Sequence, residues 1–473
     1  MFERLKARLC ARGDFQVYGE DYFESYAPTA RFESVRIITA LAAANKWKQR
    51  QVDVDNAFLW GDLPEGEIIY MYPALGFREY CPVTGELMVY KLRKSLYGLV
   101  QAAKVWSDAL VDHLVREQGF RPLHTDSSVL VKGSFPELIV VSTLVDDILA
   151  SSHSDTWLDD FEASMEKVFK IKKMGNPQWY SGVNITYGPN SISLDQKAFA
   201  ETTVAKLKLQ DAYSREMPLE HGSQLVAECK TPDDSGLANV KEMQSIAGQY
   251  NWLSQVTRPD LAHASHTTSR VMLDATKSVR DKVRNVGRYL LGTKHYCLTY
   301  YANCDHVNVP VAFCDADHAG CVVTRRSLGG HGVWLNGGLV MRSVKLQKGL
   351  PAANPTESEY REQNDCLRDV IHIRQFMEEL GFSHDTPTLI YGDNRAAMMM
   401  ASDPGKASSR SKQVDVYYHR QREAVNLGIC NYVPVDSGNN IADIWTKVTT
   451  RGIWQYLIKW VMNVRGPPQR PNP

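Results

Sequence analysis

The sequence has no excess of either charge, because lysine plus arginine and aspartate plus glutamate each total 54 among its 473 residues. A bulk attraction for a polyanion is therefore excluded, and any contact with nucleic acid must come from local basic patches. No apolar run approaches the length that spans a membrane, and the opening MFERLKARLCARG is too charged for a secretory signal. These absences predict a soluble intracellular protein.

The nine cysteines form no CxxC pair and no cluster with histidine. An odd number of cysteines at scattered spacing is typical of reduced thiols inside a cell, and it argues against a structural zinc site. The length of the chain predicts about three domains, each large enough to bury a core.

Two adjacent carboxylates, Asp146 and Asp147, lie inside the otherwise apolar stretch 143–149. The run 138–141 before them has the β-branched content of a buried strand. Adjacent side chains diverge on an extended strand, so the pair predicts a tight hairpin turn between two strands. Because aspartate is a common turn residue, the pair by itself favours a structural turn over a functional site.

A third acid, Asp53, lies among apolar neighbours in the segment 51–58, which the pattern predicts to be a strand ending in a turn. If the fold brings Asp53 to Asp146 and Asp147, the three acids suit two divalent ions. One ion activates a 3′-hydroxyl, and the other holds a triphosphate and stabilises the leaving oxygen.

The second half has a comparable set of acids beyond a predicted boundary near 302–308. There the pattern predicts three strands, a long helix over 355–380, further strands, and a last helix over 440–461. Four acids lie at strand ends or on these helices: Asp315, Glu359, Asp393 and Asp443. Together they suit two Mg²⁺ ions for in-line attack of water on a phosphodiester. Each acid singly is more simply a cap or turn residue, so the hypothesis depends on both halves supplying the same kind of site.

Helical patterns over 196–208 and 239–292 separate the two sets and carry a high density of basic side chains. These are Arg270, Lys277, Arg280, Lys282, Arg284 and Arg288. Such a density could follow a nucleic-acid backbone, and a solvated helix face explains it equally well.

At these residues the chain resembles the reverse transcriptase–ribonuclease H part of copia-type LTR retrotransposon polyproteins, from about residue 4 to about 460. The motifs that carry the resemblance occur in the family's order. They are KARLCARG, YAPTARFESVR, QVDVDNAFLWGDLPEG, KLRKSLYGLVQAAKVW, LVDDIL, SLDQKAF, TRPDLA, FCDADHAG, TRRSLGG, TESEY, YGDNRAAM and NIADIWTK.

The resemblance implies an α+β fold, in which a right-hand polymerase with fingers, palm and thumb-like helices precedes a ribonuclease H-like α/β domain. It implies truncated fingers and a palm over 1–195, and a helical thumb and connection over 196–304. The ribonuclease H-like domain then covers 305–462, and 463–473 is expected to be a disordered tail.

Metal-binding roles follow residue by residue from the resemblance. Asp53, Asp146 and Asp147 match the metal-binding acids of the polymerase palm. The ribonuclease H carboxylates are matched by Asp315, Glu359, Asp393 and Asp443. Glu357 is an alternative to Glu359 that fits the helix phase less well.

Nucleotide-binding roles follow in the same way. Phe58 matches the bulky residue that excludes the ribose 2′-hydroxyl of an incoming nucleotide. Gln101 falls where the family contacts the incoming dNTP, and Lys6 and Arg8 fall near the fingers residues that hold its phosphates.

The implied activity is Mg²⁺-dependent extension of a DNA primer on an RNA or DNA template, with hydrolysis of the RNA strand of RNA–DNA hybrids. Two Mg²⁺ ions per site are expected, with Mn²⁺ as a possible substitute. No membrane partner is expected, and the implied location is a cytoplasmic virus-like particle, the nucleus, or both.

Two departures from the family favour an alternative interpretation. Leu144 stands where a tyrosine is usual, and the fingers hairpin that normally precedes KARL is missing. The alternative is a degenerate or domesticated nucleic-acid-binding relic without polymerase activity.

Overall fold

The structure, a computed structural model, describes residues 7–229, 235–402 and 415–462. Its helices, in chain order, are α1 (Phe32–Ala44), α2 (Ala102–Asp112), α3 (Asp155–Val168), α4 (Lys197–Lys206), α5 (Leu225–Glu228), α6 (Val240–Val256), α7 (Ala262–Val271), α8 (Lys277–Thr293), α9 (Pro355–Glu379), α10 (Arg395–Ser402), α11 (Asp415–Asn426), α12 (Asp443–Thr446) and α13 (Arg451–Met462). Its strands are β1 (Lys48–Val54), β2 (Tyr70–Met71), β3 (Tyr90–Lys91), β4 (Arg121–Pro122), β5 (Val129–Ser134), β6 (Glu137–Leu144), β7 (Asp147–Ser152), β8 (Ile171–Gly175), β9 (Trp179–Tyr180), β10 (Val183–Gly188), β11 (Ser191–Asp195), β12 (Leu298–Tyr301), β13 (Val311–Asp317), β14 (Leu328–Leu335), β15 (Gly338–Leu346), β16 (Thr388–Gly392) and β17 (Cys430–Pro434). The mixed α and β content that the sequence predicts is confirmed.

The chain divides into two compact units. The first contains the described residues of Met1–Arg31 and Lys48–Pro177, and the second contains those of Phe32–Trp47 and Gln178–Pro473. The finer division into fingers, palm, thumb and ribonuclease H-like domain stays a prediction. The expected tail over 463–473 lies outside the described residues.

The first unit is built on a six-stranded sheet with the order β4-β5-β6-β7-β1-β8. Neighbouring strands pair antiparallel, and β6 and β7 form a hairpin beside β1. One face of the sheet carries an apolar core to which α2 contributes Trp106 and α3 contributes Phe161 and Met165. Because side chains alternate along a strand, Val52 on β1 and Ile148 on β7 both belong to this core.

The second unit contains a five-stranded sheet with the order β15-β14-β13-β16-β17. The pairs β13–β16 and β16–β17 are parallel, whereas β13–β14 and β14–β15 are antiparallel. Helix α9 packs against β13, β14 and β16. A four-stranded sheet with the order β12-β11-β10-β9 belongs to the same unit.

Helix α1 belongs to the second unit although the chain on both sides of it belongs to the first. Ten of its thirteen residues, from Ser34 to Ala43, are buried, and it packs against β11, β12, β14 and β15. Arg36 at 4% exposure donates from Nε to the Val340 carbonyl oxygen at 2.8 Å. A helix in which nearly every position is buried takes its stability from such packing.

The prediction of one last helix over 440–461 is wrong. The structure has the short helix α12 and the longer helix α13, and Lys447 between them has an extended backbone with φ −129° and ψ 149°. The sequence that follows, Val448-Thr449-Thr450, is β-branched throughout and loses rotamer freedom in a helix. The break therefore has a local cause that the apolar periodicity conceals.

The basic side chains of the helical segment are largely engaged with the protein itself. Arg284 donates to the Leu207 carbonyl oxygen at 2.8 Å, and Arg288 donates to the Tyr213 carbonyl oxygen at 2.6 Å. Lys282 pairs with Glu228 at 3.0 Å. These contacts favour a structural role over a continuous track for phosphates. Within the described part of the chain, no helix combines the length and apolar character needed to cross a membrane.

Candidate functional site

The paired acids of the first unit lie in a β-hairpin, as the sequence predicts. Leu144 on β6 pairs with Asp147 on β7, so Val145 and Asp146 form a two-residue turn. Val145 has a φ of +59°, in the left-handed region that β-branched residues rarely adopt. The Trp106 indole Nε1 donates to the Val145 carbonyl oxygen at 2.7 Å. The core helix α2 therefore helps to fix the turn that presents Asp146.

Asp53 and Asp147 are direct partners in the neighbouring strands β1 and β7. Because Val52 and Ile148 point into the core, both acids lie on the opposite face of the sheet. The Gln51 amide Nε2 donates to Asp147 Oδ1 at 3.1 Å. Burial raises the pKa of Asp147, and the negative charges of Asp146 and Asp53 raise it further. The three acids that the sequence selects therefore act on one another electrostatically.

A lysine that the sequence analysis did not single out neutralises part of this charge. Lys172 on β8 is the other strand partner of Asp53. Its Nζ lies 3.1 Å from Asp53 Oδ2 and 2.6 Å from Asp55 Oδ1. In the described part of the chain, the carboxylate oxygens of Asp53, Asp146 and Asp147 do not all lie within 4.8 Å of one another. They share one region of the first unit without converging to that distance.

Two of the predicted nucleotide residues contact a common aromatic side chain, Tyr97. The Phe58 ring meets the Tyr97 ring edge-on with centroids 5.1 Å apart, and the Arg8 guanidinium lies 5.2 Å from the centroid of the same ring. Burial raises the pKa of Tyr97, which Arg8 lowers and the charges of Asp146 and Asp53 raise. Phe58 and Arg8 therefore both contact Tyr97, which lies close enough to Asp53 and Asp146 for their charges to affect its pKa.

The other two residues predicted to bind a nucleotide are Gln101 and Lys6. Gln101 is 1% exposed, and its Nε2 donates to the Asp21 carbonyl oxygen at 3.0 Å and to Glu67 Oε2 at 2.9 Å. Its Oε1 accepts from Gln16 Nε2 at 3.1 Å, so both ends of the amide are bonded to protein groups. Lys6 lies outside the described residues.

Three acids of the second unit converge closely. Asp315 on β13, Glu359 on α9 and Asp393 after β16 each offer a carboxylate oxygen within 4.8 Å of the other two. The parallel register aligns Phe313 with Tyr391, so Asp315 and Asp393 each follow two residues further on. Burial raises the pKa of Glu359 to about 9, with further contributions from Asp315 and Asp393. Oxygen donors crowded in this way suit a hard divalent cation such as Mg²⁺.

The alternative acid Glu357 lies outside this cluster. It pairs with Arg361 at 2.5 Å and accepts from the Ala353 amide at 2.9 Å. Helix α9 therefore presents Glu359 to Asp315 and turns Glu357 to a local partner.

Asp443 is linked to the cluster through a shared lysine. Lys447 Nζ lies 2.9 Å from Asp443 Oδ1 and 3.2 Å from Asp315 Oδ1, and the Thr446 hydroxyl donates to Asp315. Burial raises the pKa of Asp443 to about 7, with a further contribution from Asp315 that Lys447 opposes. Lys447 lies in the quoted motif NIADIWTK, and helix α12 ends immediately before this residue.

Residues 2–221 match the protein family described as reverse transcriptase (RNA-dependent DNA polymerase). The Pol polyprotein of transposon TNT 1-94 from Nicotiana tabacum is 31% identical over 95% of this chain and 33% of its own length. The Pol polyprotein of transposon RE1 from Arabidopsis thaliana is 30% identical over 98% of this chain and 31% of its own length. The chain thus spans about a third of the length of these relatives.

Among solved structures, the foamy viral protease–reverse transcriptase in complex with double-stranded DNA covers 88% of this chain and 61% of its own. The sequence identity is 11% and the TM-score is 0.47. The assignment to a family rests on the sequence relatives alone. The chain belongs to the reverse transcriptase region of the copia-type retrotransposon Pol polyproteins.

Proposed function

We propose that the chain synthesises DNA on an RNA template and hydrolyses the RNA strand of RNA–DNA hybrids. The observation that carries this proposal is the presence of two separate carboxylate sets, one in each unit. Asp53 and Asp147 are partners on the neighbouring strands β1 and β7 of the first unit, and Asp315, Glu359 and Asp393 converge in the second. A structural turn or cap explains a single acid, but it does not explain a facing pair of acids in the first unit together with a closely converging set in the second.

The donor chemistry of both sets fits Mg²⁺, but in the described structure the oxygens of the first set do not converge within 4.8 Å as those of the second set do. Carboxylate oxygens are its usual protein donors, and burial, with a further contribution from the neighbouring negative charges, raises the pKa values of Asp147 and Glu359, a cost that a bound cation offsets. When bound, such ions activate an attacking hydroxyl or water and neutralise charge on the phosphate. Two ions per site, with Mn²⁺ as a substitute, are part of the proposal.

In the first unit, the protein's own side chains position the metal-binding acids and the incoming nucleotide. Asp53 and Asp147 present their carboxylates on one face, and the hairpin turn carries Asp146 beside them. The Tyr97 ring contacts both Arg8 and Phe58. Arg8 supplies a charge for the phosphates of a dNTP, and Phe58 supplies the bulk that excludes a 2′-hydroxyl.

In the second unit, Asp315 is 0% exposed and is held by Thr446 and Lys447. Its orientation is therefore fixed before a substrate arrives, which is the pre-organisation that phosphodiester hydrolysis requires. Hybrid binding is expected to depend on salt and to be largely independent of sequence.

A second candidate function is hybrid cleavage without polymerisation. The Lys172 ammonium group on Asp53 and the buried amide of Gln101 favour it, as does Leu144 in place of the usual tyrosine. Each of these features affects the first unit and leaves the carboxylate cluster of the second unit intact.

Primer extension on a poly(rA)-type template with Mg²⁺ tests the proposal, beside a double variant with Asp146→Asn and Asp147→Asn. Hybrid cleavage by the same full chain is measured in parallel, with Asp393→Asn as its control. Extension that vanishes in the double variant, together with cleavage that vanishes in Asp393→Asn, supports both activities. Cleavage without extension supports the second candidate, and the absence of both refutes the proposal.

A further inference from the structure

A histidine of the second unit is buried between two carboxylates that the sequence analysis did not consider. His331 on β14 is 0% exposed. Its Nδ1 lies 2.6 Å from Glu362 Oε1, and its Nε2 lies 2.9 Å from Asp369 Oδ2. Glu362 and Asp369 are seven residues apart on α9, so they lie two turns apart on one face of the helix. We call these three residues the histidine clamp.

The geometry favours a charged ring. Ionised carboxylates only accept hydrogen bonds, so when Glu362 and Asp369 are both ionised the two ring nitrogens of His331 donate, and only the imidazolium form does so. Burial lowers the pKa of His331, but hydrogen bonds from the ring to Asp369 and Glu362 outweigh it and raise the pKa well above its usual value. A charge removed from water is costly unless it is paired and hydrogen-bonded, and the clamp satisfies both conditions.

A glycine on β14 leaves room for the Glu362 carboxylate beside His331. A Cβ at Gly329, two residues before His331, would lie 1.8 Å from Glu362 Oε2. Any larger residue there would push the Glu362 carboxylate away from the ring. A glycine, a buried histidine and two acids on the facing helix thus form one arrangement that joins β14 to α9.

The clamp lies next to the carboxylate cluster on both elements. His331 pairs across the sheet with Cys314, the residue before Asp315, and Glu362 follows Glu359 by one turn of α9. We propose that the histidine clamp is a positioning device that fixes the register of α9 on the sheet, and so places Glu359 against Asp315 for metal binding. This inference rests on the proposed hydrolysis of hybrids.

The test is the affinity of the full chain for Mn²⁺, measured by isothermal titration calorimetry, with His331→Gln as the perturbation. Glutamine keeps a donor group but removes the charge and one of the two hydrogen bonds. We expect Mn²⁺ binding at the cluster to weaken about tenfold, the lower end of the range for residues that orient metal ligands. The Mg²⁺ concentration that half-saturates hybrid cleavage is expected to rise by the same factor.

Arg374→Gln is the matched control. Arg374 lies on the same helix at 8% exposure, and its Nη1 donates to the Thr386 carbonyl oxygen at 3.0 Å. It anchors the end of α9 that is distant from Glu359. We expect Arg374→Gln to lower the thermal unfolding temperature while leaving Mn²⁺ affinity unchanged.

Unchanged Mn²⁺ affinity in His331→Gln overturns the inference, and so does an equal loss in Arg374→Gln. If His331→Gln does not fold, Asp369→Asn replaces it, because the Asp369 side chain is 20% exposed, and a smaller loss in the same direction is expected. A wild-type chain that binds Mn²⁺ without cleaving hybrids refutes the proposed function. The clamp is still tested in that case, because its readout is metal affinity.

Discussion

Binding of a divalent metal at the cluster in the second unit is expected to release a proton from Glu359. Its pKa of about 9 results from burial and from the charges of Asp315 and Asp393. At about pH 7.5 such a group keeps its proton in roughly 97% of molecules. A carboxyl group must lose its proton to act as a ligand, so metal binding expels about one proton. Asp443, with a pKa of about 7, adds roughly 0.2 of a proton.

The same linkage sets the pH dependence of metal affinity. Below the pKa of Glu359 the metal competes with a proton, so affinity rises about tenfold per pH unit between about pH 7 and pH 9. Above about pH 9 Glu359 is already ionised in the metal-free chain, and the rise ends. Titration calorimetry in two buffers of different ionisation enthalpy counts the protons directly.

Two variants make the proton count specific. Glu359→Gln is expected to remove most of the release, whereas Glu357→Gln on the same helix keeps it because Glu357 is paired with Arg361. A wild-type chain that binds Mn²⁺ with no buffer dependence, or with a flat affinity from about pH 7 to pH 9, would refute the account of crowded carboxylates.

Three further predictions concern stability and selectivity. Asp260→Asn is expected to lower the free energy of unfolding by about 3–5 kcal/mol, because it leaves the guanidinium of Arg258 buried without its counter-charge. The control is Glu216→Gln, which breaks the exposed ion pair of Glu216 with Arg451 and should cost about 1 kcal/mol or less in urea unfolding; equal losses would contradict the reasoning. Val145→Gly should raise the free energy of unfolding by about 1 kcal/mol, since glycine relieves the left-handed strain but is more flexible when unfolded; a loss of stability in the same assay would show that the turn is not strained. Phe58→Ala should raise ribonucleotide over deoxyribonucleotide incorporation about tenfold in single-turnover extension, and unchanged selectivity would remove Phe58 from the nucleotide site.

The sequence predicts those parts of the fold that local patterns determine. The hairpin that carries Asp146 follows from two apolar runs around a pair of turn-forming acids. The strand with Asp53 and the long helix with Glu359 follow from their periodicity. The convergence of Asp315, Glu359 and Asp393 is less accessible, because it depends on the order and register of strands that are distant in sequence. There the resemblance to a family selected the acids, and the sheet shows that three of them meet.

The remaining features depend on tertiary contacts that leave no mark in one sequence. In the sequence, Lys172 does not differ from the lysines next to it, and only the pairing of β8 with β1 reveals its contact with Asp53. His331 lies in a run of glycines with no nearby acid in the chain. The buried amide of Gln101 results from the path of residues 16–21 and of Glu67. In each case the partner comes from another element of the same unit.

Helix α1 is synthesised well before the strands of the second unit that bury it. Its ten buried residues are synthesised before the strands that cover them, and β14 and β15 follow roughly 300 residues later. At about 5–20 residues per second the ribosome needs about 15–60 s to supply those strands. Strand β11 of the same unit follows α1 by roughly 150 residues, so until then the helix has no partner strand from its own unit, and its contacts with β14 and β15 form last. The folding of this chain is therefore expected to depend on whatever shields α1 while translation proceeds.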